Sequence, residues 1–70
     1  MIFYSRNDCP LCEDIEETLN NLAIDYCFVD IDLDESLRKK YNAKIPVLMH
    51  NNQELCFPFS TDDILKFAQI

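Results

Sequence analysis

Two cysteines separated by two residues, Cys9-Pro10-Leu11-Cys12, are the residues of this seventy-residue chain best placed to do chemistry. Residues three apart share a face of a helix, so the two sulfurs would stand one turn apart and could join or part as a disulfide. If a helix begins at Pro10, Cys9 lies at its mouth, where unsatisfied N–H groups and the helix dipole favour a thiolate. Cys9 is then the expected nucleophile and Cys12 the resolving thiol. Asp8, Glu13 and Asp14 crowd the pair, with Arg6 the one cation close in sequence, and negative neighbours work against a thiolate. The same cysteines could instead contribute to a zinc site or, shared between two chains, to an iron–sulfur cluster. No second Cys-x-x-Cys or paired His follows, so a closed four-ligand site would need distant residues, and no metal ligand is assigned.

The elements that must hold this pair are legible on either side of it. Ile2, Phe3, Tyr4 and Ser5 form a short apolar and aromatic run ended by Arg6-Asn7-Asp8, as a buried strand running into a loop would. From Pro10 onward Leu11, Ile15, Leu19 and Leu22 recur at helical spacing, with carboxylates and amides on the other face. Proline suits the first turn, where the backbone N–H has no helical partner. Tyr26 to Ile31 reads as a second strand, and strand, helix and strand in so few residues imply a parallel pair joined by a right-handed crossover. Asp34 can cap a short helix carrying Leu37 and Tyr41. Residues 45–50 and 53–56, separated by Asn51-Asn52, are a hairpin pattern, and Ser60-Thr61-Asp62-Asp63 opens a last helix. The order is βαβαββα. Glycine is absent, and asparagine at 20–21, 42 and 51–52 is expected to supply the positive-φ positions at helix and strand ends.

A chain of this length makes one domain, residues 1–70, because neither half alone could bury enough apolar surface to offset its ordering entropy. Hydrophobic residues are 49% of it, with five Phe and three Tyr, a globular composition. Thirteen acidic against six basic residues give a net charge of −7, which repels phosphate backbones and anionic headgroups, so neither nucleic acid nor membrane is expected as a partner. The sequence starts Met1-Ile2-Phe3-Tyr4 with no basic segment, and no apolar run nears the roughly 18 residues of a membrane span. A cytoplasmic, reducing location is expected, with the four cysteines as thiols and not a disulfide scaffold.

The element order, the Cys-x-x-Cys at the junction of strand one and helix one, and an Ile-Pro opening strand three resemble the thioredoxin superfamily, and within it the glutaredoxin-like proteins. The matching segments are 3–12, 29–32, 44–48 and 61–63. The resemblance implies an α/β fold, a thioredoxin-like (glutaredoxin-type) three-layer sandwich with a four-stranded mixed sheet and three helices. It implies a thiol-disulfide oxidoreductase that reduces protein or small-molecule disulfides, such as a disulfide-bearing protein or a glutathione mixed disulfide. Electrons would come from a reductase or from glutathione, with no bound cofactor and the chain acting as a monomer. It further implies a cis peptide before Pro46, substrate pairing at the Ile45 backbone, and a binding surface of Arg6, Pro10, Leu11, Ile45, Pro46, Thr61 and Asp62. Phe59-Ser60 stands where glutathione-binding relatives carry a Gly-Gly turn, and with the acidic charge this favours protein disulfides over the anionic tripeptide. A non-catalytic binding module on the same fold is the remaining alternative.

Cys27 and Cys56 fall in predicted strands two and four, which the resemblance puts on opposite sheet edges, about 14 Å apart. A disulfide needs Cα atoms within about 7 Å, so they should not bridge, and small core residues are their expected role. His50 is expected as an exposed residue of the hairpin turn.

Overall fold

The apolar run at the N-terminus forms β1 (Ile2–Ser5), one of the two inner strands of a four-stranded sheet. The computed structural model describes residues 1–69. Helix α1 (Pro10–Asn21) returns the chain to β2 (Cys27–Asp30), which pairs parallel with β1 from Ile2↔Cys27 to Ser5↔Asp30. A one-turn 3₁₀ helix (Ile31–Leu33) and α2 (Glu35–Tyr41) lead to the hairpin of β3 (Val47–His50) and β4 (Gln53–Cys56), and α3 (Thr61–Ala68) closes the fold. β3 lies antiparallel to β1, Tyr4 opposite Val47, and β4 antiparallel to β3, giving the mixed order β2-β1-β3-β4.

Alternation along the strands separates two apolar layers. Phe3 and Leu48 turn to one face and meet Cys12, Ile15 and Leu19 of α1 and Ile64 and Phe67 of α3. Val47 and Tyr4 turn to the other and meet Ile31 and Tyr41, with Tyr4 and Tyr41 stacked at 4.5 Å. Helices on both faces of one sheet make the three-layer sandwich.

Helix ends follow their capping residues. The Asp34 carboxylate accepts the Ser36 and Leu37 amides at 2.8 and 3.3 Å. Ser60 and Asp63 form a reciprocal capping box, Ser60 Oγ accepting the Asp63 amide at 3.2 Å and Asp63 Oδ2 accepting the Ser60 amide at 2.9 Å. These bonds hold the Asp63 carboxyl below its usual range.

Several expectations need correction. β2 ends at Asp30 and not Ile31, because the Asp30 carboxylate accepts the Asp32 amide at 2.9 Å and starts the 3₁₀ turn. Tyr26 precedes β2, and β3 begins after the Ile45-Pro46 segment. Asn51 and Asn52 do carry positive φ, 50° and 63°, as a two-residue hairpin turn requires. Asn20, Asn21 and Asn42 do not; Ala23 takes φ 56° after α1. There its amide bonds the Asn20 carbonyl at 3.1 Å and the Ile24 amide bonds that of Leu19 at 3.0 Å, a Schellman closure. Leu11, placed by its spacing on the buried stripe, is 50% exposed, because Cys12, Ile15 and Leu19 form the inward face. Cys27 and Cys56 are exposed on the outer strands and not core residues. His50 ends β3 and does not sit in the turn; its half-buried ring meets Phe67 edge-on at 6.1 Å.

Candidate active site

Cys9 is itself the N-cap of α1. Its backbone is extended (φ −113°, ψ 100°), and its Sγ accepts the Cys12 amide at 3.3 Å, the bond a Ser or Asp oxygen makes at most helix starts. Asp8, at φ 58°, turns the chain from the β1 loop into this geometry, and Pro10 occupies the first helical turn. The sulfur is thereby held as an acceptor at the positive end of the helix. It is partly open to solvent.

Cys12, one turn on, faces inward. It is 2% exposed and packs with Phe3, Ile15 and Leu19. Burial pushes its thiol from the ordinary 9.0 up to about 11, helped by the hydrogen bond and charge of Cys9; the Ser5 hydroxyl and the Arg6 backbone pull it part of the way back. Ser5 is 1% exposed at the end of β1. Its role beneath the dithiol was not read from the sequence, although it is the lone polar residue of an otherwise apolar strand.

A raised acid value means that the folded chain holds this proton more tightly than the unfolded chain. The resulting stability is present in full below pH 9 and is lost as pH rises towards 11. Two pH units correspond to about 2–3 kcal/mol. Urea unfolding of the reduced protein should therefore weaken by roughly that amount between pH 9 and 11. Cys12→Ala should lack that component, leaving the loss due to Tyr26 and Tyr41, whose values are raised first of all by burial. Equal losses in the two proteins would show that Cys12 ionises as freely folded as unfolded.

The other predicted site residues divide. The Ile45–Pro46 peptide is cis and Pro46 is fully buried. Continuing the β1–β3 register by one residue sets Pro46 opposite Ser5, so the proline segment and the dithiol share one end of the sheet. Thr61 and Asp62 are exposed in the first turn of α3, five residues after β4 ends at that same sheet end. The Arg6 guanidinium is engaged by a carboxylate and an amide: Nε and Nη2 donate to the two Asp32 oxygens at 3.2 and 2.9 Å, and Nη2 also donates to Asn42 Oδ1 at 2.6 Å. It ties the active-site loop to the 3₁₀ turn and the end of α2. A second cis peptide, Phe57–Pro58, follows β4 and was not anticipated.

A cleft of about 120 Å³ opens on the β2 side, lined by Ser5, Asp8, Cys12, Glu13, Glu16 and Phe28 among others. Glu16 there accepts the Tyr26 hydroxyl at 3.0 Å. Among the described residues, no three His, Cys, Asp or Glu side chains gather as a metal-ligand set, and no helix is long and apolar enough to cross a membrane.

Comparison with known proteins agrees with this architecture. No curated protein sequence matches the chain significantly. The X-ray structure of the structural-genomics target protein XcR50 from X. campestris superposes with a TM-score of 0.88 at 31% identity, over 97% of this chain and 93% of that one. The crystal structure of a single-site mutant of the thioredoxin-like protein BC3987 superposes at 0.74 with 18% identity, over 94% and 95%, a likeness of fold. The family model described as Glutaredoxin-like domain (DUF836) matches residues 1–68. With a dithiol capping its first helix and a cis-proline at the same end of a four-stranded mixed sheet, the chain belongs to this glutaredoxin-like family of the thioredoxin superfamily.

Proposed function

We propose that the chain is a thiol-disulfide oxidoreductase that reduces disulfides through Cys9 and Cys12. The observation that carries the reading is the Cys12 amide bond to Cys9 Sγ, which sets an accessible sulfur and a buried one within a single helical turn. The Cys9 thiolate attacks one sulfur of the substrate disulfide; a Cys9–S bond forms, the S–S bond breaks, and the departing thiolate takes a proton from water. Cys12 then gives its proton to solvent and attacks Cys9 Sγ, expelling the second substrate thiol. Two electrons and two protons pass to the substrate, leaving Cys9–Cys12 oxidised. A disulfide-bearing protein or a glutathione mixed disulfide would be the oxidant, and a reductase or glutathione, in a reducing cytoplasm, the source of returning electrons.

The second step slows selectively without Cys12. In a background lacking Cys27 and Cys56, Cys12→Ser exposed to hydroxyethyl disulfide should accumulate a mixed disulfide on Cys9, read by mass spectrometry. The Cys12-containing counterpart should pass to an internal disulfide, two hydrogens lighter. A Cys9 left unmodified in both would remove the proposal.

A further inference from the structure

The sheet end that carries the dithiol also carries apolar side chains left outside the core. The register linking Tyr4, Val47 and Cys56 continues to Ser5, Pro46 and Phe57, and the Phe57 amide bonds the Pro46 carbonyl at 3.3 Å. By strand alternation these three residues lie on the face that receives α1 and α3. Phe57 meets Phe59 edge-on at 5.8 Å, and Phe59 packs on the cluster that also receives Cys9 and Ile45. Phe57 is 37% exposed, and Leu11, two residues after Cys9, half exposed. Neither the cleft beside β2 nor the one around Met49–Asn52 has Cys9 in its walls. Leu11, Phe57 and Phe59 give this end of the sheet apolar surface of the kind a polypeptide covers more fully than a small molecule.

Charge narrows the choice. Asp8 precedes the dithiol, Glu13 and Asp14 follow it on α1, and Asp62 and Asp63 occupy the first turn of α3. Of the cations nearby, Arg6 is bound to Asp32 and Asn42, and Lys44 adjoins Ile45. Carboxylates outnumber cations around the site as they do in the whole chain, with its net charge of −7. Such a field repels an anionic disulfide and draws in a cationic one. Resting on the redox reading above, we infer that the partner is a cationic protein segment with an apolar side chain beside its disulfide, seated on Leu11, Ile45, Phe57 and Phe59.

The test compares peptide disulfides with hydroxyethyl disulfide, which is neutral and lacks side chains. One peptide carries Leu beside the bridged cysteine with two Lys; in a second Glu replaces Lys, and in a third Ser replaces Leu. The cationic Leu peptide should exceed the Glu peptide in kcat/KM by about tenfold at low salt, an advantage that shrinks as ionic strength rises. It should exceed the Ser peptide by about fivefold, and Phe57→Ser should lower its rate relative to hydroxyethyl disulfide by about the same factor. Phe57→Leu should keep most of that ratio. Equal rates for Lys and Glu peptides, or a ratio untouched by Phe57→Ser, would overturn this inference while turnover of hydroxyethyl disulfide leaves the redox reading standing. Absence of that turnover would overturn both.

Discussion

Cys9→Ser should lose at least about a thousandfold in kcat/KM for disulfide reduction, because a hydroxyl stays protonated at neutral pH and is a poor nucleophile towards sulfur. The substitution is unusually clean at this position. Cys9 caps α1 through its sulfur, and a serine oxygen makes the same bond to the Cys12 amide, with serine among the best N-cap residues. Unfolding free energy should stay within about 0.5 kcal/mol of the parent or rise, so the activity cannot be lost through the fold. Steady-state reduction of hydroxyethyl disulfide beside urea unfolding measures both. Activity within tenfold of the parent would mean that another cysteine, Cys27 or Cys56, performs the exchange.

The largest effect on stability should come from Phe3→Ala. Phe3 is 0% exposed on the inner strand β1, paired with Phe28 on β2 and Leu48 on β3. Its ring meets Tyr26 and Phe28 edge-on at 5.8 and 5.9 Å and packs in the cluster containing Cys12. Removing it from both helix and sheet contacts should cost about 3–5 kcal/mol. That is a large share of the roughly 4–10 kcal/mol available to a chain of this size, so the variant should be substantially unfolded near 37 °C. Phe3→Leu, which keeps most of the volume, should cost about 1–1.5 kcal/mol. Circular dichroism during urea unfolding reads both, and a cost below about 1 kcal/mol for Phe3→Ala would show that the layer beneath the dithiol is not the centre of the core.

Much of the fold was legible because its punctuation is local. Asp34 and Ser60 cap the helices they were expected to cap, and Asn51-Asn52 makes the hairpin turn, since each acts on amides or dihedrals within a few residues of itself. Leu11 was misread for a related reason. Its spacing matches the apolar stripe, but the stripe is wide enough to be drawn one residue off, and Cys12, not Leu11, lies on the line to Ile15 and Leu19. Cys27 and Cys56 were misread because an outer strand has only one covered face, and periodicity does not say which side of a short strand that face is. The left-handed residue after α1 turned out to be Ala23, where helix length and the Leu19 and Asn20 carbonyls outweigh residue preference.

The amino-acid sequence alone determined the order of elements, the dithiol at the head of a helix and the chemistry open to it, because these depend on residue types and spacings within a turn or two. Tertiary structure decided what surrounds the sulfurs. Only the pairing and packing of elements distant in the chain sets the Ile45–Pro46 and Phe57 segments beside Ser5 at one sheet end, and the Arg6 guanidinium on Asp32 and Asn42. Those contacts join residues 26 or more positions apart in the case of Arg6 and about forty in the case of Ser5 and Pro46. Local propensity carries no information about them; register between strands does.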